Sequence, residues 1–341
     1  MEGRKFATKV CVTGGAGYIG SCLVKKLLER GYTVHATLRN LEDKSKVGLL
    51  ESFPNAATNL VIFQADLYEP SEFGKAIEGC EFVFHVAFPM IHDPDKAKGK
   101  DRVESTVNEV KSIADACLRE KSVKRLIYTA SVMSTSSLQE DGKSFKSTID
   151  ESCWTPLHVQ FPNSNDYTME YTTAKTLAEK ALLGYKDHSK LEVVTLACGL
   201  VGGEAAFPQP PLSVQVIVSQ VTGNLFGYKH GLRFMEDILD SIPLVHVDDV
   251  AEAHIFAMEN PSVKGRFLCA VGNPTSRDMA LYLQQNYPQY PIDESFMGEP
   301  GSGTSCDSSK LRKMGFEFKY DVKKVIDDSL KYVKRSEALN P

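Results

Sequence analysis

The sequence predicts an α/β protein with a doubly wound parallel sheet and a smaller C-terminal lobe. Short β-branched segments alternate with longer amphipathic ones, the predicted strands are apolar on both faces, and a glycine-rich turn follows the first strand. A sheet that is covered by helices on both faces requires strands of this kind. The 341 residues, of which 42% are hydrophobic and 24% charged, are enough to build a large core.

The first part of the chain alternates strands with helices. The predicted strands span residues 8–13, 32–39, 61–65, 82–86, 125–130 and 192–197. The predicted helices span residues 19–29, 102–120 and 171–185. This alternation is typical of βαβ units, in which consecutive strands are parallel.

The alternation ends after Gly202, where prolines interrupt the chain within residues 208–211. We therefore predict one domain over residues 1–200 and a second lobe over residues 201–341. Two strand-like segments of the lobe are expected to return to the first sheet: residues 244–247 and 267–270.

Charge and cysteine usage narrow the class of protein. The net charge is −5, which offers no general attraction to nucleic acid or anionic membranes. No apolar stretch approaches the ~20 residues of a membrane helix, and the N-terminal segment has no apolar signal core. The eight cysteines form no C-x-x-C pair, which disfavours a zinc site and a disulfide framework. We expect a cytosolic protein with a small-molecule partner, no metal and no obligate protein partner.

The glycine-rich turn lies between the first predicted strand and the first predicted helix. Its sequence, T-G-G-A-G-Y-I-G, matches the dinucleotide-binding pattern T-G-x-x-G-x-x-G. Glycines there permit a close approach to a pyrophosphate, whose charge the helix N-terminus attracts. A plain turn without a ligand is the alternative. The predicted cofactor-binding residues of the turn are Thr13, Gly14, Gly17, Tyr18, Ile19 and Gly20.

The end of the second predicted strand indicates which dinucleotide is bound. Residues 35–39 read H-A-T-L-R, so no carboxylate is present to bond the adenosine ribose hydroxyls. Arg39 can form a charge-assisted fork to a 2′-phosphate, and Lys44 or Lys46 is near enough in sequence to assist. This favours NADP(H) over NAD(H). A solvent-facing arginine without a ligand is the alternative.

A Y-x-x-x-K pattern formed by Tyr171 and Lys175 opens the last predicted helix of the first domain. Residues at this spacing lie on one helix face. Chance alone can produce the pattern, and Tyr320 and Lys324 also fit it. Tyr171 comes after the fifth predicted strand and the hydroxyl-rich segment that ends in Ser131, where parallel strands form a ligand crevice, whereas Tyr320 lies outside the βαβ units. The context therefore favours Tyr171.

These residue types suit carbonyl reduction. A free phenol has a pKa of about 10, and we expect the Lys175 ammonium, together with an oxidised nicotinamide, to lower the pKa of Tyr171. Tyr171 then acts as general acid, and Ser131 holds the substrate oxygen near the hydride-bearing carbon. A strand-end cap is the alternative for Ser131.

In this order the motifs resemble those of extended short-chain dehydrogenase/reductases over nearly the whole chain. Further segments narrow the resemblance to the plant group of dihydroflavonol, anthocyanidin and vestitone-type reductases. They are G-C-E-F-V-F-H-V-A at 79–87, K-T-L-A-E-K at 175–180, V-H-V-D-D-V at 245–250 and G-F-E-F-K-Y at 315–320. The resemblance implies a Rossmann fold, an NADP-binding domain over residues 1–200 and a substrate-binding lobe over residues 201–341.

The resemblance also implies residue roles. Ser131, Tyr171 and Lys175 correspond to the catalytic triad, in which the lysine also contacts the nicotinamide ribose. Arg39 with Lys46 corresponds to the 2′-phosphate site. The other implied cofactor contacts are Asp66 and Leu67 beside the adenine, with Val86, Ala87, Cys198 and Leu200 along the cofactor. His246 and Asp248 are expected to serve structure.

One feature departs from the family, and two depart from its dihydroflavonol reductases. A proline usually follows the sixth strand near the nicotinamide, whereas this chain has Cys198. Dihydroflavonol reductases carry an asparagine five residues beyond the catalytic serine, where this chain has Ser136. The segment over residues 223–242 is nearer to that of anthocyanidin reductases. A strict dihydroflavonol 4-reductase is therefore not expected.

We predict an NADPH-dependent reductase of a ketone or conjugated carbonyl in a ring-bearing plant secondary metabolite of flavonoid, isoflavonoid or alkaloid type. Aromatic and sulfur side chains suit such a substrate, although core packing is the alternative for each. The predicted substrate contacts are Phe88, Met90, Met133 and Phe226. Anthocyanidin reductase-type double-bond reduction, a nucleotide-sugar epimerase or dehydratase, and a non-catalytic NADPH sensor remain as alternatives.

Overall fold

The computed structural model describes residues 8–89, 101–139, 143–187, 190–221, 226–298 and 303–339. For residues 186–187, 226–229 and 337–339 it describes the backbone alone. No helix in these ranges has the length and apolar character that crossing a membrane requires.

The strands follow one another with helices between them, as the sequence predicts. The strands are β1 (Lys9–Thr13), β2 (Thr33–Leu38), β3 (Leu60–Gln64), β4 (Phe82–His85), β5 (Arg125–Ser131), β6 (Thr148–Ile149), β7 (Glu192–Cys198), β8 (Leu200–Gly202), β9 (Leu244–His246), β10 (Gly265–Cys269) and β11 (Ser305–Cys306). The helices are α1 (Tyr18–Glu29), α2 (Lys44–Glu51), α3 (Ala56–Asn59), α4 (Phe73–Ile77), α5 (Arg102–Arg119), α6 (Asp166–Leu183), α7 (Leu212–Ile217), α8 (Phe226–Leu239), α9 (Val247–Glu259), α10 (Ser276–Asn286), α11 (Ser309–Lys313) and α12 (Val322–Leu339).

Seven strands form the main sheet, in the order β10-β7-β5-β4-β1-β2-β3. β1 pairs in parallel with β2 on one side and with β4 on the other, with Val10 opposite Val34 and Phe82. The strand order therefore reverses between β1 and β4, which is where open α/β sheets bind ligands at the carboxyl ends of their strands. The predicted doubly wound parallel sheet is confirmed.

The strand-like segments at residues 244–247 and 267–270 belong to different sheets. Residues 267–269 belong to β10 at one edge of the main sheet, so this segment returns as expected. β9 instead pairs with β8 in a separate two-stranded sheet, with Val245 opposite Val201. The expectation that residues 244–247 join the first sheet is therefore wrong, because their backbone groups find partners in β8.

The chain divides into two compact units, each built from several stretches of sequence. The first comprises Met1–Thr129, Leu177–Thr195 and Ala251–Gly265. The second comprises Ala130–Thr176, Leu196–Val250 and Arg266–Pro341. The predicted assignment of residues 1–200 to cofactor binding and of residues 201–341 to substrate binding concerns ligands and stays a prediction.

Candidate active site

The turn between β1 and α1 is closed by its own backbone. The Gly17 N–H donates a hydrogen bond to the Gly14 carbonyl oxygen at 2.9 Å, and Gly14 has a φ of +66°, which favours glycine. A Cβ at Gly20 would lie 2.2 Å from the same Gly14 oxygen. Larger residues at these positions would therefore displace the turn.

The N-terminus of α1 opens from this turn. Gly17 precedes the helix and supplies no side-chain cap, and the first helical turn carries no acidic residue. Helix N-termini carry partial positive charge and attract anions. Because glycines keep the approach clear, the turn fits the pyrophosphate of a dinucleotide, with Tyr18 and Ile19 half-buried at the start of the helix.

Thr13 joins the glycine turn to the segment that follows β4. Its hydroxyl oxygen accepts hydrogen bonds from the N–H groups of Val86 and Ala87, both at 3.1 Å. Ala87 packs so closely against the turn that a Cβ at Gly14 would lie 3.0 Å from the Ala87 Cα. Four of the predicted cofactor residues therefore form one connected group.

The predicted 2′-phosphate site lies beyond β2. Arg39 is exposed there, whereas the Lys46 ammonium lies 3.1 Å from a carboxylate oxygen of Asp43. Asp43 also caps α2 by accepting a hydrogen bond from the Lys46 N–H at 3.2 Å. Hydrogen bonds from Ser45 and Lys46 lower the pKa of Asp43 to about 2. The charge of Lys46 is thus partly engaged, while Arg39 extends into solvent.

Asp66 follows β3 and is buried. Its carboxylate accepts a hydrogen bond from the Tyr68 N–H at 3.1 Å, and its own N–H donates to Glu72 at 2.8 Å. These bonds fix the loop that carries the half-buried Leu67. The predicted adenine contacts of Asp66 and Leu67 stay predictions.

The structure joins two of the predicted catalytic residues. Ser131 ends β5 and is buried, and its side chain is hydrogen-bonded to that of Tyr171 on α6. Lys175 follows one turn later on the same helix and is 4% exposed. Ser131 also accepts a hydrogen bond from the Met133 N–H at 3.2 Å, so its orientation is fixed.

The helix α6 begins earlier than predicted. Asn165 and Thr168 exchange hydrogen bonds, each from a backbone N–H to the other's side chain at 2.9 Å. This reciprocal cap starts the helix at Asp166. Tyr171 consequently lies in the second turn instead of at the head of the helix.

Burial dominates the pKa of Tyr171 in the protein without its cofactor. Burial raises the pKa to about 12, the hydrogen bond with Ser131 lowers it, and Tyr167 and Cys198 raise it further. In the protein without its cofactor, removal of the phenol from water opposes its ionisation. The lowering that we expect from Lys175 together with an oxidised nicotinamide stays a prediction. At neutral pH Tyr171 is protonated and able to donate.

Tyr167 is an aromatic neighbour of Tyr171 that belongs to none of the predicted motifs. Its ring stacks on Tyr171 with 6.5 Å between centroids and 29° between planes. The four-residue spacing before Tyr171 on one helix was the available signal.

The structure shows the contacts of Ser136 and Cys198, two residues that depart from the expected pattern. Ser136 is 2% exposed, and its hydroxyl donates to the Ile238 carbonyl at 2.7 Å while it accepts from the Leu138 N–H at 3.0 Å. The Ser136 hydroxyl is therefore hydrogen-bonded to backbone groups, both as donor and as acceptor. Cys198 is buried at the end of β7 and hydrogen-bonded to Cys269.

The remaining residues that we predict to contact cofactor or substrate differ in burial. Phe88 and Leu200 are half-buried, and Met133 is buried in a short 3-10 turn after β5. Met90 lies outside the described residues. Phe226 begins α8, where the backbone alone is described. The cofactor contact of Leu200 and the substrate contacts of the other four residues stay predictions.

The second tyrosine–lysine pair makes structural contacts. The Tyr320 hydroxyl donates to Asp248 at 3.1 Å, and its ring stacks on His246 at 4.0 Å. Lys324 pairs with Asp328 at 2.7 Å. The roles of His246 and Asp248 in these contacts agree with the structural part expected of them.

The fold and the glycine turn define a dinucleotide-dependent class of protein. A profile of the NAD dependent epimerase/dehydratase family matches residues 10–269. The chain belongs to this family, and the predicted resemblance is confirmed.

Individual relatives are plant reductases. The chain is 36% identical over 334 residues to an anthocyanidin reductase ((2S)-flavan-3-ol-forming) of Vitis vinifera, covering 97% of this chain and 96% of that protein. It is 39% identical over 315 residues to a dihydroflavonol 4-reductase of Callistephus chinensis, covering 92% and 83%. The crystal structure of vestitone reductase from alfalfa (Medicago sativa) is similar, with a TM-score of 0.76, 34% identity and coverage of 96% and 99%.

Proposed function

We propose that this chain is an NADPH-dependent reductase of a carbonyl group in a ring-bearing plant secondary metabolite of the flavonoid type. The observation that carries the proposal is the hydrogen bond between Ser131 and a protonated Tyr171, with the buried Lys175 one turn away on α6. Such a group supplies a proton and an oxygen-binding donor at one place, which is what carbonyl reduction needs.

The residues divide the work at the carbonyl oxygen. The cofactor, when bound, supplies the hydride that the carbonyl carbon receives. Ser131 donates a hydrogen bond to the carbonyl oxygen and orients it. Tyr171 transfers its phenolic proton to that oxygen as negative charge develops there. The Lys175 ammonium then stabilises the phenolate that remains.

The glycine turn and Arg39 would hold the cofactor. The turn from Gly14 to Gly20 would accommodate a pyrophosphate at the N-terminus of α1, where Gly17 supplies no side-chain cap and the first helical turn carries no acidic residue. The exposed Arg39 would pair with a 2′-phosphate, assisted by Lys46. Because β2 ends without a carboxylate, we propose NADP(H) as the cofactor.

The substrate class rests on the relatives and on Ser136. The names of the relatives describe reductases of anthocyanidins, dihydroflavonols and vestitone. Since Ser136 is buried and bonded to the backbone, a polar grip on the substrate from this position is not available. The similarity to an anthocyanidin reductase favours double-bond reduction as the second candidate.

We also propose a cytosolic location. All eight cysteines are free, which supports this location.

The test is to incubate the purified protein with NADPH and a panel of flavonoid and isoflavonoid ketones, anthocyanidins and UDP-sugars. Nicotinamide absorbance follows turnover, and NADH serves as the cofactor control. We expect oxidation of NADPH with at least one ring-bearing carbonyl and much slower oxidation of NADH. Activity on UDP-sugars alone, or NADPH binding without turnover of any substrate, would reverse the proposal.

A further inference from the structure

A buried threonine–histidine–glutamate chain lies beside the glycine turn. His85 ends β4 and is 1% exposed, and its Nδ1 lies 2.9 Å from the hydroxyl oxygen of Thr13. On its other side, His85 Nε2 lies 3.2 Å from a carboxylate oxygen of Glu109 on α5, which is 2% exposed. Neither side chain has a part in the reaction described above.

The hydrogen-bonding capacity of the Thr13 hydroxyl decides which nitrogen of His85 carries the imidazole proton. Its oxygen already accepts two hydrogen bonds, from the N–H groups of Val86 and Ala87. A hydroxyl offers two acceptor sites and one proton, so the third contact of Thr13 is a donation from its O–H to His85 Nδ1. The imidazole proton of neutral His85 therefore resides on Nε2 and faces the Glu109 carboxylate.

The surroundings of His85 hold this tautomer in place. Thr13 approaches from β1, Glu109 from α5, and the Tyr128 ring of β5 stacks on the imidazole with 5.4 Å between centroids. His85 Nε2 and Glu109 Oε1 do not form a hydrogen bond with each other, so their 3.2 Å contact contributes through the attraction between the carboxylate and the Nε2–H. A buried polar group needs such partners, because few waters can replace them.

The chain of contacts ends on the backbone that shapes the turn. Thr13 holds the N–H groups of Val86 and Ala87, and Ala87 lies against Gly14. We propose that His85 and Glu109 are positioning residues for cofactor binding, which act through the Thr13 hydroxyl to set the gap between the glycine turn and Ala87. The inference rests on the proposed binding of NADPH at this turn.

The test compares two substitutions of His85. Asparagine places its side-chain oxygen as many bonds from Cα as His85 Nδ1, so His85→Asn retains an acceptor for Thr13. His85→Leu has none and leaves the hydroxyl proton without a partner. Fluorescence titration with NADPH is expected to give an about tenfold higher Kd for His85→Leu and a much smaller change for His85→Asn. KM for NADPH should rise with Kd, while kcat at saturating NADPH changes less.

A matched control exists in the same unit of the chain. His254 on α9 is fully buried and bonded to Thr129 through a contact of 2.7 Å. His254→Leu removes a buried threonine–histidine bond of the same kind, but one made by Thr129 instead of Thr13. Its melting temperature should fall about as far as that of His85→Leu, with little change in the Kd for NADPH.

Several outcomes would overturn the inference. Equal changes in the Kd for NADPH in His85→Leu and His254→Leu would show that His85 contributes only to general stability. An equal rise in this Kd in His85→Asn and His85→Leu would show the same. If His85→Leu does not fold, Glu109→Gln, which removes the charge and keeps the shape, should still raise the Kd by about threefold, and an unchanged Kd would contradict the role. Absence of NADPH binding in the unaltered protein would instead overturn the proposed function itself.

Discussion

The glycine turn and the tyrosine helix use different physical means to prepare for a ligand. The turn after β1 works through backbone, since Gly14 and Gly20 permit contacts that a Cβ would prevent. The helix α6 works through side chains, because the hydrogen bond to Ser131 and burial together set the state of the Tyr171 phenol. The shape of the backbone therefore prepares the glycine turn for a ligand, whereas the protonated state of Tyr171 prepares α6.

This difference implies that the two regions fail in different ways. A change in the turn should alter binding of the cofactor, whereas a change at Tyr171 should alter the chemical step. Separate measurements of the Kd for NADPH and of kcat can therefore distinguish them.

Tyr171→Phe should have the largest effect. Loss of the proton donor is expected to lower kcat by about a thousandfold, while the Kd for NADPH stays within about twofold, because the glycine turn is unaltered. Stopped-flow measurement of NADPH oxidation and a fluorescence titration check the two values. Tyr320→Phe is the matched control, since Tyr320 belongs to the other tyrosine–lysine pair and bonds Asp248. Near-normal turnover in Tyr171→Phe would contradict the assigned role.

Gly20→Ala should affect binding most. The added Cβ would lie 2.2 Å from the Gly14 carbonyl oxygen, so the turn must move, and we expect an about 100-fold rise in the Kd for NADPH. Gly74→Ala on α4 is the control, because a Cβ there meets nothing within 4 Å. That change should stabilise the protein by about 1 kcal/mol. Unaltered NADPH binding in Gly20→Ala would show that the turn does not hold the cofactor.

Arg39→Gln should have an intermediate effect that is confined to one cofactor. Loss of the charge-assisted contact is expected to raise the Kd for NADPH about tenfold and to leave that for NADH nearly unchanged. Lys46→Gln should change less, since Lys46 is already paired with Asp43. Calorimetric titration with both cofactors provides the comparison. An equal loss of NADPH and NADH affinity would argue against a 2′-phosphate contact at Arg39.

The smallest expected effect is that of pH on kcat/KM for reduction. Burial raises the pKa of Tyr171 to about 12, so the phenol keeps its proton until the pH rises towards that value. For the acid of a reduction, kcat/KM should therefore vary less than about twofold between about pH 7 and about pH 9. A decline centred near pH 8 would indicate instead that Lys175 and the bound cofactor dominate this pKa.

The fold was predictable where local patterns and burial agree. The alternation of apolar strands and helices located β1, β2, β4, β5 and β7 because each strand is buried by its neighbours. The pairing of β9 with β8 was not predictable, since the three residues of β9 carry too little pattern to specify a partner. Long-range contacts decided that pairing.

The site was predictable to the extent that spacing carries the chemistry. The glycine turn and the spacing of Tyr171 and Lys175 are visible as motifs, because fixed offsets along the chain determine their geometry. The link between His85 and Glu109 was not visible, since these residues come from different elements and meet only in the folded core. The direction of the Tyr171 pKa also depends on burial, which no spacing reveals.

The most direct measurement follows deuterium into the product from NADPH that carries deuterium at both positions of nicotinamide C4. The unaltered protein is supplied with the flavonoid ketone that it reduces fastest, and the product is examined by NMR. Direct transfer predicts one deuterium on the former carbonyl carbon. An unlabelled carbon after complete oxidation of the NADPH would contradict carbonyl reduction by this site.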